Sequence, residues 1–397
     1  MRARAFAFWA LVIFANNTFA GPEGGQIVGG AGSIAQVNAA TTQVNQISQS
    51  MAINWSSFNV AAGETVQFVQ PGTSAVVLNR ILDQNPSTIF GTINANGHVF
   101  LVNTRGVLFA PGSQINVQGL IASGLDMDPA QFMEGNYQLA ANGAAGYVVN
   151  HGVIAAATGG SVVLVGGQVL NTGTIRANYG RVTMAGADAG YVDFDGDGLM
   201  RFEVTGELKQ KLEGEDAAVT NRGTIQANGG EVVMQAAAAR GLFDTLVNNE
   251  GLISATGIDT SGGQVRLVAD GGNVANSGTI DVSSVAGQAG TVTLSATDGK
   301  IVNSGVIDAQ SQQARAGVVQ LVATGGGIES NGDILATSVE GQGGFVLIES
   351  NADTLLSAGQ VDVGSVEATG GTIHVLGERV AVMGPTRLGS SGGAGGG

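Results

Sequence analysis

Residues 276–280 of the chain read Asn-Ser-Gly-Thr-Ile, and residues 303–307, one step of 27 later, read Asn-Ser-Gly-Val-Ile. The same phrase, approximately Asn-x-Gly-x-Ile, recurs from residue 150 onward and is degraded in its last copies. Its copies begin at Asn150, Asn171, Asn221, Asn249, Asn276, Asn303, Ser330 and Ser357. From Asn249 onward the step between copies is always the same, and such a constant step indicates a structure built from repeated units.

Two columns of apolar residues keep the same step. One consists of Val265, Val292, Val319, Val346 and Ile373, and each member is followed two positions later by Leu, Ile or Val. The other consists of Val274, Ile301, Ile328, Leu355 and Val382. Together with the Asn-x-Gly-x-Ile phrase, these columns predict three short apolar strands in each unit, separated by Gly, Asn, Ser and Asp turns.

Three strands per unit and apolar residues in vertical register predict an all-β protein, a right-handed parallel β-helix with about 27 residues per coil. Each strand would pair with its equivalent in the next coil, about 4.8 Å away, and residues 150–390 would form about nine coils. The first apolar column should then be buried throughout. Asn side chains at a repeated corner can stack in a hydrogen-bonded ladder. A leucine-rich repeat or a β-propeller would need a Leu-rich phrase or about 40 residues per blade.

Two regions depart from the repeat. Residues 27–140 are strand-like but less periodic, and they are well placed to form an N-terminal capping region over the unpaired edge of the first coil. Residues 186–216 interrupt the repeat and predict an excursion outside the coil, such as a β-hairpin or a short lid. The predicted organisation is a signal peptide at 1–20, an N-terminal domain at 21–280 that includes this insertion, and a repeat stalk at 281–397.

The first twenty residues have the character of a secretory signal peptide. Arg2 and Arg4 supply positive charge, and residues 5–14 form an apolar run too short to span a bilayer. Thr18-Phe19-Ala20 approximates a cleavage site. We therefore expect export by the general secretory machinery.

The composition is that of a folded, acidic protein without disulfides. Hydrophobic residues make up 44% of the chain, Gly accounts for 65 residues, and there is no Cys, so the core must come from burial alone. The net charge is −15, because 31 acidic residues outnumber 16 basic ones. Nucleic acid is therefore not an expected partner, since phosphate recognition needs clustered Lys and Arg.

Several motifs in the amino-terminal part carry a family resemblance. Residues 91–103 read Gly-Thr-Ile-Asn-Ala-Asn-Gly-His-Val-Phe-Leu-Val-Asn, residues 115–123 read Ile-Asn-Val-Gln-Gly-Leu-Ile-Ala-Ser, and residues 132–137 read Phe-Met-Glu-Gly-Asn-Tyr. With Ile-Asn-Trp at 53–55 and Asn-Arg-Ile at 79–81, they resemble the two-partner secretion domain of filamentous haemagglutinins. The resemblance spans roughly residues 27–280, and the remainder resembles the repetitive stalk of the same proteins.

This resemblance implies a passenger protein whose amino-terminal domain is recognised by a dedicated outer-membrane transporter. It also implies a protein that is secreted through the periplasm to an extracellular or outer-membrane surface location. Family members serve as adhesins, cytolysins, haem-scavenging proteins or carriers of contact-dependent toxins, and the ligand on a host or cell surface stays open. The motifs point to Asn96, Gly97, Asn103 and Gly106 as candidate secretion residues. Where the family usually has Asn-Pro-Asn-Gly, this chain has Asn103-Thr104-Arg105-Gly106, so the Pro that rigidifies the turn is missing.

Asp193, Asp195 and Asp197 imitate the start of a calcium-binding loop. The twelfth loop position, where a bidentate acid is expected, is Val204, and Glu203 lies one residue short. A plain polar turn is the preferred interpretation, so no metal or other cofactor is expected.

A catalytic alternative starts from Asp281 and Asp308, which occupy equivalent positions in consecutive units. Carbohydrate lyases on β-helices use stacked acids, which makes a polysaccharide-degrading enzyme the competing hypothesis. The next unit has Leu335 at that position, and no Lys or Arg accompanies the pair. A solvated outer face and a non-enzymatic protein are therefore preferred. The three histidines, His98, His151 and His374, lie in different contexts and form no catalytic or metal-binding pattern.

The carboxyl-terminal residues are in step with the repeat. Gly397 follows Gly370 by one full step, and Leu388 follows Val361 by the same step. A natural β-helix ends in a capping element, and the sequence shows none here. We therefore expect a truncated or partial stalk with an exposed last coil.

Overall fold

The computed structural model describes residues 21–194, 196, 198–212, 216–258 and 262–394. The predicted signal peptide lies outside them. The first strands are β1 (Gln26–Gly29), β2 (Gly32–Asn38), β3 (Thr41–Gln46), β4 (Ser50–Trp55), β5 (Thr65–Val69), β6 (Val76–Ile81), β7 (Ser87–Ile89), β8 (Thr92–Ala95), β9 (His98–Asn103), β10 (Gly106–Phe109) and β11 (Gln114–Ser123). The next elements are α1 (Pro129–Met133), β12 (Tyr137–Ala140), β13 (Tyr147–Asn150), β14 (Val153–Gly166), β15 (Gln168–Asn171), β16 (Thr174–Arg176), β17 (Arg181–Gly186), β18 (Ala189–Phe194) and β19 (Met200–Gly206).

The remaining strands repeat in groups of three. They are β20 (Ala217–Asn221), β21 (Thr224–Gln226), β22 (Glu231–Ala237), β23 (Thr245–Asn249), β24 (Leu252–Ser254), β25 (Gln264–Asp270), β26 (Asn273–Asn276), β27 (Thr279–Asp281), β28 (Thr291–Thr297), β29 (Ile301–Asn303), β30 (Val306–Asp308), β31 (Val318–Ala323), β32 (Ile328–Ser330), β33 (Asp333–Leu335), β34 (Phe345–Ser350), β35 (Asp353–Leu356), β36 (Gln360–Asp362), β37 (Thr372–Leu376), β38 (Arg379–Val382) and β39 (Arg387–Gly389).

These strands stack in parallel into three faces. Face 1 runs through β4, β6, β9, β11, β14, β17, β22, β25, β28, β31, β34 and β37. Face 2 runs from β7 to β38, and face 3 runs through β3, β5, β8, β11, β14, β16 and β21 to β39. The long strands β11 and β14 pass through both face 1 and face 3. The predicted parallel β-helix with three strands per coil is confirmed. Among the described residues between 147 and 382, face 2 contains nine strands, which matches the predicted number of coils.

The core lies inside the coil and follows the first predicted column. Val265, Val292, Val319 and Val346 are each 0% exposed and stack in register from β25 to β34. Burying a side chain of this size contributes about 1.5–3 kcal/mol, so the column is a major source of stability. Ile373 is only partly buried, contrary to the prediction, because β37 is the last described strand of face 1 and no further coil covers it.

The second predicted column is wrong at Leu355 and at Val382, because Thr354 pairs with Val380 while Val382 pairs with Leu356. The residue that pairs with Ile328 and points inward is Thr354, which is 1% exposed, while Leu355 pairs with Glu329. Counted between register partners, the stretch before Thr354 is one residue shorter than the stretch before Ile328, and the following corner is one residue longer, so Gly359 again lies beside Gly332. The hydroxyl of Thr354 donates to the carbonyl of Leu376 at 2.8 Å, which satisfies its inward polar atom.

The repeated Asn residues form the predicted ladder at the corner after face 2. Each Nδ2 donates to the Oδ1 of the Asn in the following coil, at 2.8 Å in every case from Asn150 to Asn303. Asn303 then donates to the hydroxyl of Ser330 at 3.3 Å. The Asn side chains are at most 1% exposed, so the ladder satisfies amides that would otherwise be unpaired in the core.

Antiparallel strands cover the amino-terminal end of the stack. β2 pairs with β3 and β1 pairs with β4, both antiparallel, while β3 and β4 pair in parallel with the next coil. The unpaired edge of the first coil is thereby occupied by the same chain, as predicted for a capping region. The predicted extent of the cap is wrong, because it consists of β1 and β2 only. Residues 41–123, which were predicted to belong to it, already pair in parallel as coils.

A second layer covers part of face 1 from outside. β18 and β19 form an antiparallel hairpin in the region of the predicted excursion, and β12 adds a third strand. Below this sheet, outward residues of face 1 and the helix α1 form a separate apolar core that includes Leu78, Phe100, Phe132, Val163 and Phe202. Neither α1 nor the pairing of β12 with the hairpin was predicted from the sequence.

Candidate functional site

The four candidate secretion residues lie at the two ends of β9. Asn96 and Gly97 precede the strand, and Asn103 and Gly106 form the turn after it. Six residues of extended chain span about 20 Å, so the structure does not bring the two pairs together. They are separate turns joined by one strand, and that strand is buried along its whole length.

The turn before β9 is built around Gln70. The Oδ1 of Asn96 accepts from the amide of Gln70 at 2.8 Å, and its Nδ2 donates to the carbonyl of Gln70 at 2.9 Å. The amide of Gly97 donates to Gln70 Oε1 at 2.8 Å. Asn96 is exposed, whereas Gly97 is buried, and a Cβ at Gly97 would lie 2.7 Å from the carbonyl oxygen of Ala75. Of this pair, Asn96 alone has an exposed side chain.

The turn after β9 is held by its first residue. Asn103 is 0% exposed, its Nδ2 donates to the hydroxyl of Ser87 at 3.0 Å, and its Oδ1 accepts from the amide of Arg105 at 2.9 Å. Gly106 has a φ of 122°, which favours glycine, and its Cβ would lie 2.9 Å from the carbonyl oxygen of Tyr147. The Asn and Gly ends therefore shape this turn without a Pro, and Arg105 at its tip is exposed.

A groove of about 500 Å³ lies beside Asn96. Its lining residues are Thr73, Ala95, Asn96, Asn116, Val117, Gln118 and residues 155–157. The Nδ2 of Asn116 donates to Asn94 Oδ1 at 3.0 Å across two coils. The groove leaves Asn96 accessible at the junction of face 3 and face 1.

The environments of two side chains of the outer layer, Arg80 and His98, were not predicted from the sequence. Arg80 forms a bidentate pair with Asp126 at 2.7 Å for both contacts, and this hydrogen-bonded pairing raises the pKa of Arg80. His98 is 5% exposed and lies against the ring of Phe194, 5.2 Å away. Burial lowers the pKa of His98 to about 4. The burial of His98 depends on the hairpin of β18 and β19, which packs over β9. No local pattern in the sequence predicts this packing.

Residues 21–282 match the family described as the TPS secretion domain. The chain belongs to this family. It is the secretion domain, followed by repeats, of a two-partner secretion passenger, and proteins with this domain are secreted through the outer membrane. Within the part of the chain that the structure describes, no helix is long and apolar enough to span a bilayer.

Two individual proteins are similar to all or part of the chain. A segment of 117 residues is 35% identical to the heme/hemopexin-binding protein of Haemophilus influenzae; it covers 30% of this chain and 13% of that protein. The solved HMW1 secretion domain of Haemophilus influenzae superposes with a TM-score of 0.76 at 22% identity, covering 94% of this chain and 99% of that one. The likeness to the HMW1 domain shows the shared fold.

Of the three calcium-loop candidates, the structure describes Asp193. Asp193 is exposed at the end of β18, opposite Arg201 of β19. Asp195 and Asp197 lie outside the described residues, so the choice between a calcium loop and a polar turn stays a prediction. Among the described residues, no three His, Asp or Glu side chains are grouped so as to hold a metal ion.

The stacked acids of the catalytic alternative lie at the edge of the secretion domain and beyond it. Asp281 and Asp308 are paired in register between β27 and β30. The Oδ1 of Asp281 accepts from the amide of Ser283 at 2.9 Å, and that of Asp308 accepts from the amide of Gln310 at 3.0 Å. Burial, and secondarily the charge of Asp281, raises the pKa of Asp308. Both carboxylates thus organise corner turns of the coil.

Proposed function

We propose that residues 21–280 are bound by an outer-membrane transporter of the two-partner type, after export by the general secretory machinery directed by residues 1–20. Residues 281–397 would form a stalk that is displayed outside the cell and binds a surface ligand. The match of residues 21–282 to the TPS secretion domain family carries this proposal. The fold fits it, because the coil stack and its outer layer offer a continuous surface for recognition.

The turns at the ends of β9 are the proposed recognition sites, with different roles for their residues. Asn96 and Arg105 present exposed side chains, and that of Asn96 also bonds the backbone of Gln70. Gly97, Asn103 and Gly106 are buried and only hold the turns in shape. A transporter would contact the exposed pair directly. Substitution of the buried three would act through the shape of the turn.

A secretion assay tests the proposal in cells that produce the partner transporter. Paired substitution of Asn96 and Gly97, or of Asn103 and Gly106, by Ala should leave the protein in the periplasm with its signal peptide removed. The surface pair Asn96→Ala and Arg105→Ala should have the same effect with the fold retained. Secreted and periplasmic fractions are compared by immunoblotting.

Asn248→Ala is the matched control, because this Asn bonds only at the surface to Glu250, away from both turns. Refolding of each purified variant, followed by circular dichroism, separates a recognition defect from a folding defect. Undiminished secretion of the Asn96 and Arg105 variant, in the presence of the transporter, would contradict a role for these turns.

We further propose a binding rather than a catalytic role for the stalk. Asp281 and Asp308 are engaged by amides of their own corners, and Leu335 occupies the equivalent position in the next coil. A stacked-acid lyase would need basic groups beside such a pair. Adhesion is the preferred role, and carriage of a cytolysin or contact-dependent toxin is the alternative. Unchanged viscosity of acidic and neutral polysaccharides on incubation with the purified chain is the expected outcome.

A further inference from the structure

A polar groove lies between the hairpin strand β19 and the outer surface of face 1. Its volume is about 380 Å³, and its charged and amide lining residues include Arg181, Arg201, Glu203, Glu231, Gln235 and Arg266. Three arginines in one groove are unusual for a chain in which 31 acidic residues outnumber 16 basic ones. This groove is distinct from the groove beside Asn96.

The acidic side chains of the groove already have partners. Glu231 accepts from Nε of Arg181 at 2.7 Å, and Glu203 accepts from the hydroxyl of Tyr191. Arg201 Nε is 3.9 Å from Glu203, which is beyond hydrogen-bond distance. Arg266 is exposed and forms no ion pair with any residue that the structure describes. Two guanidinium groups therefore have donors available to a ligand.

The shape and register of the groove favour an extended ligand with hydroxyls. Arg181, Glu231 and Gln264 occupy equivalent positions in three successive coils, at a spacing of about 4.8 Å. An inorganic oxyanion would need donors only and would occupy a small part of 380 Å³. The carboxylates of Glu203 and Glu231 would repel a densely charged polyanion, but they can accept hydrogen bonds from hydroxyl groups.

We propose that this groove binds an acidic saccharide, a chain of sugars that carry carboxylates. Arg201 and Arg266 bind a carboxylate through their guanidinium donors, because a planar guanidinium can donate two parallel hydrogen bonds to the two oxygens of a carboxylate. The remaining acceptor positions of Glu203 and Glu231 and the amide of Gln264 bind the sugar hydroxyls. The transporter is not part of this proposal, so secretion can fail or succeed without affecting it.

Titration calorimetry of the purified chain with an oligogalacturonate tests the proposal. The same oligosaccharide with its carboxylates methyl-esterified is the matched ligand control. Saturable binding of the acid form is expected, with at least about tenfold weaker binding of the ester, because charge-assisted hydrogen bonds to Arg are lost. Arg266→Ala and Arg201→Ala should each weaken binding of the acid form by about tenfold or more.

Arg315→Ala is the protein control, because Arg315 is also exposed but lies on another part of the rod. It should leave the affinity unchanged. Three outcomes would overturn the proposal: no saturable binding, equal binding of the ester, or an equal loss in Arg315→Ala. Competition by inorganic sulfate at the same concentration as the oligogalacturonate would also overturn it, since it would indicate a general anion site. Circular dichroism of each variant verifies that the fold is retained.

Discussion

At the scale of single residues, Asn249 makes two buried hydrogen bonds that an apolar side chain cannot replace. Its Oδ1 accepts from Asn221 and its Nδ2 donates to Asn276, both at 2.8 Å. Asn249→Ala would leave one donor and one acceptor unpaired in the core, at about 1–3 kcal/mol each. We expect the free energy of unfolding to fall by roughly 3 kcal/mol in urea denaturation.

The neighbouring Asn248→Ala provides the control, because its bond to Glu250 is at the surface. That variant should change stability by less than about 0.5 kcal/mol. Equal effects of the two substitutions would show that the buried ladder is not the source of stability.

Asp308 is a second residue whose contribution to stability can be predicted from the structure. Asp281 lies opposite it in register, and burial and that charge raise the pKa of Asp308. The folded state therefore holds this proton more tightly than the unfolded state, and stability falls as pH rises above the ordinary pKa of Asp. Asp308→Asn should stabilise the protein by about 0.5 kcal/mol at neutral pH, and the gain should vanish in acid.

Asp362→Asn is the comparison for Asp308. Asp362 makes the same corner turn, with its Oδ1 accepting from the amide of Gly364 at 2.8 Å, but its register partners are Leu335 and Gly389. Thermal melts of both variants at pH 7 should show the larger gain at position 308. A gain of the same size at position 362 would exclude repulsion between the stacked acids as the cause.

At the scale of secondary-structure elements, the hairpin of β18 and β19 covers the start of β9 and buries His98. His98 at the start of β9 packs against Phe194, and burial lowers its pKa to about 4 from 6.5. Its contribution to stability is complete above pH 6.5 and is lost as pH falls towards 4, because the unfolded chain binds the proton first. This loss amounts to roughly 3 kcal/mol.

The His98→Leu variant should lack this part of the acid dependence, because Leu suits the apolar site and does not titrate. Denaturation at several pH values between 4 and 7 measures the difference, and hydrogen exchange in β18 and β19 reports whether the hairpin opens first. Parallel acid profiles for the variant and the unsubstituted protein would count against His98 as the responsible group.

Elements that repeat were predictable, and elements that do not repeat were not. Val265 and its equivalents could be placed inside the coil because each position is supported by a copy one repeat step away. Leu355 was misplaced because a deletion before β35 and an insertion after it leave the length of the step unchanged. The pairing of β12 with β18 depends on contacts between distant segments, so neither it nor the burial of His98 had a local signal.

At the scale of the whole molecule, each coil contacts only its neighbours, so one coil should be removable. Excision of residues 291–317 joins Gly290 to Val318, which takes the place of its register partner Thr291. All three faces keep their register, and we expect a rod that is one coil, about 4.8 Å, shorter and still folds. Small-angle scattering measures the length and circular dichroism the strand content.

Excision of residues 291–304 is the control, because about half a coil is removed and strands of different faces would be brought into register. That variant should aggregate or lose cooperative unfolding. A folded product from the shorter excision, or an unfolded one from the full coil, would contradict nearest-neighbour stacking as the principle of the fold.

The Asn ladder also has a polarity, and this gives the assembly of the rod a preferred sense. The Oδ1 of Asn150 accepts from the amide of Gly152 in its own corner at 3.1 Å, so the first rung is closed without help from an earlier one. Until the following coil folds, the Nδ2 of each Asn in the ladder lacks the Oδ1 that accepts its hydrogen bond. A chain that emerges amino-terminus first meets a template at every step, and each captured coil hinders its return. Folding coil by coil in this way acts as a ratchet, and a ratchet can move a polypeptide across a membrane without nucleotide hydrolysis.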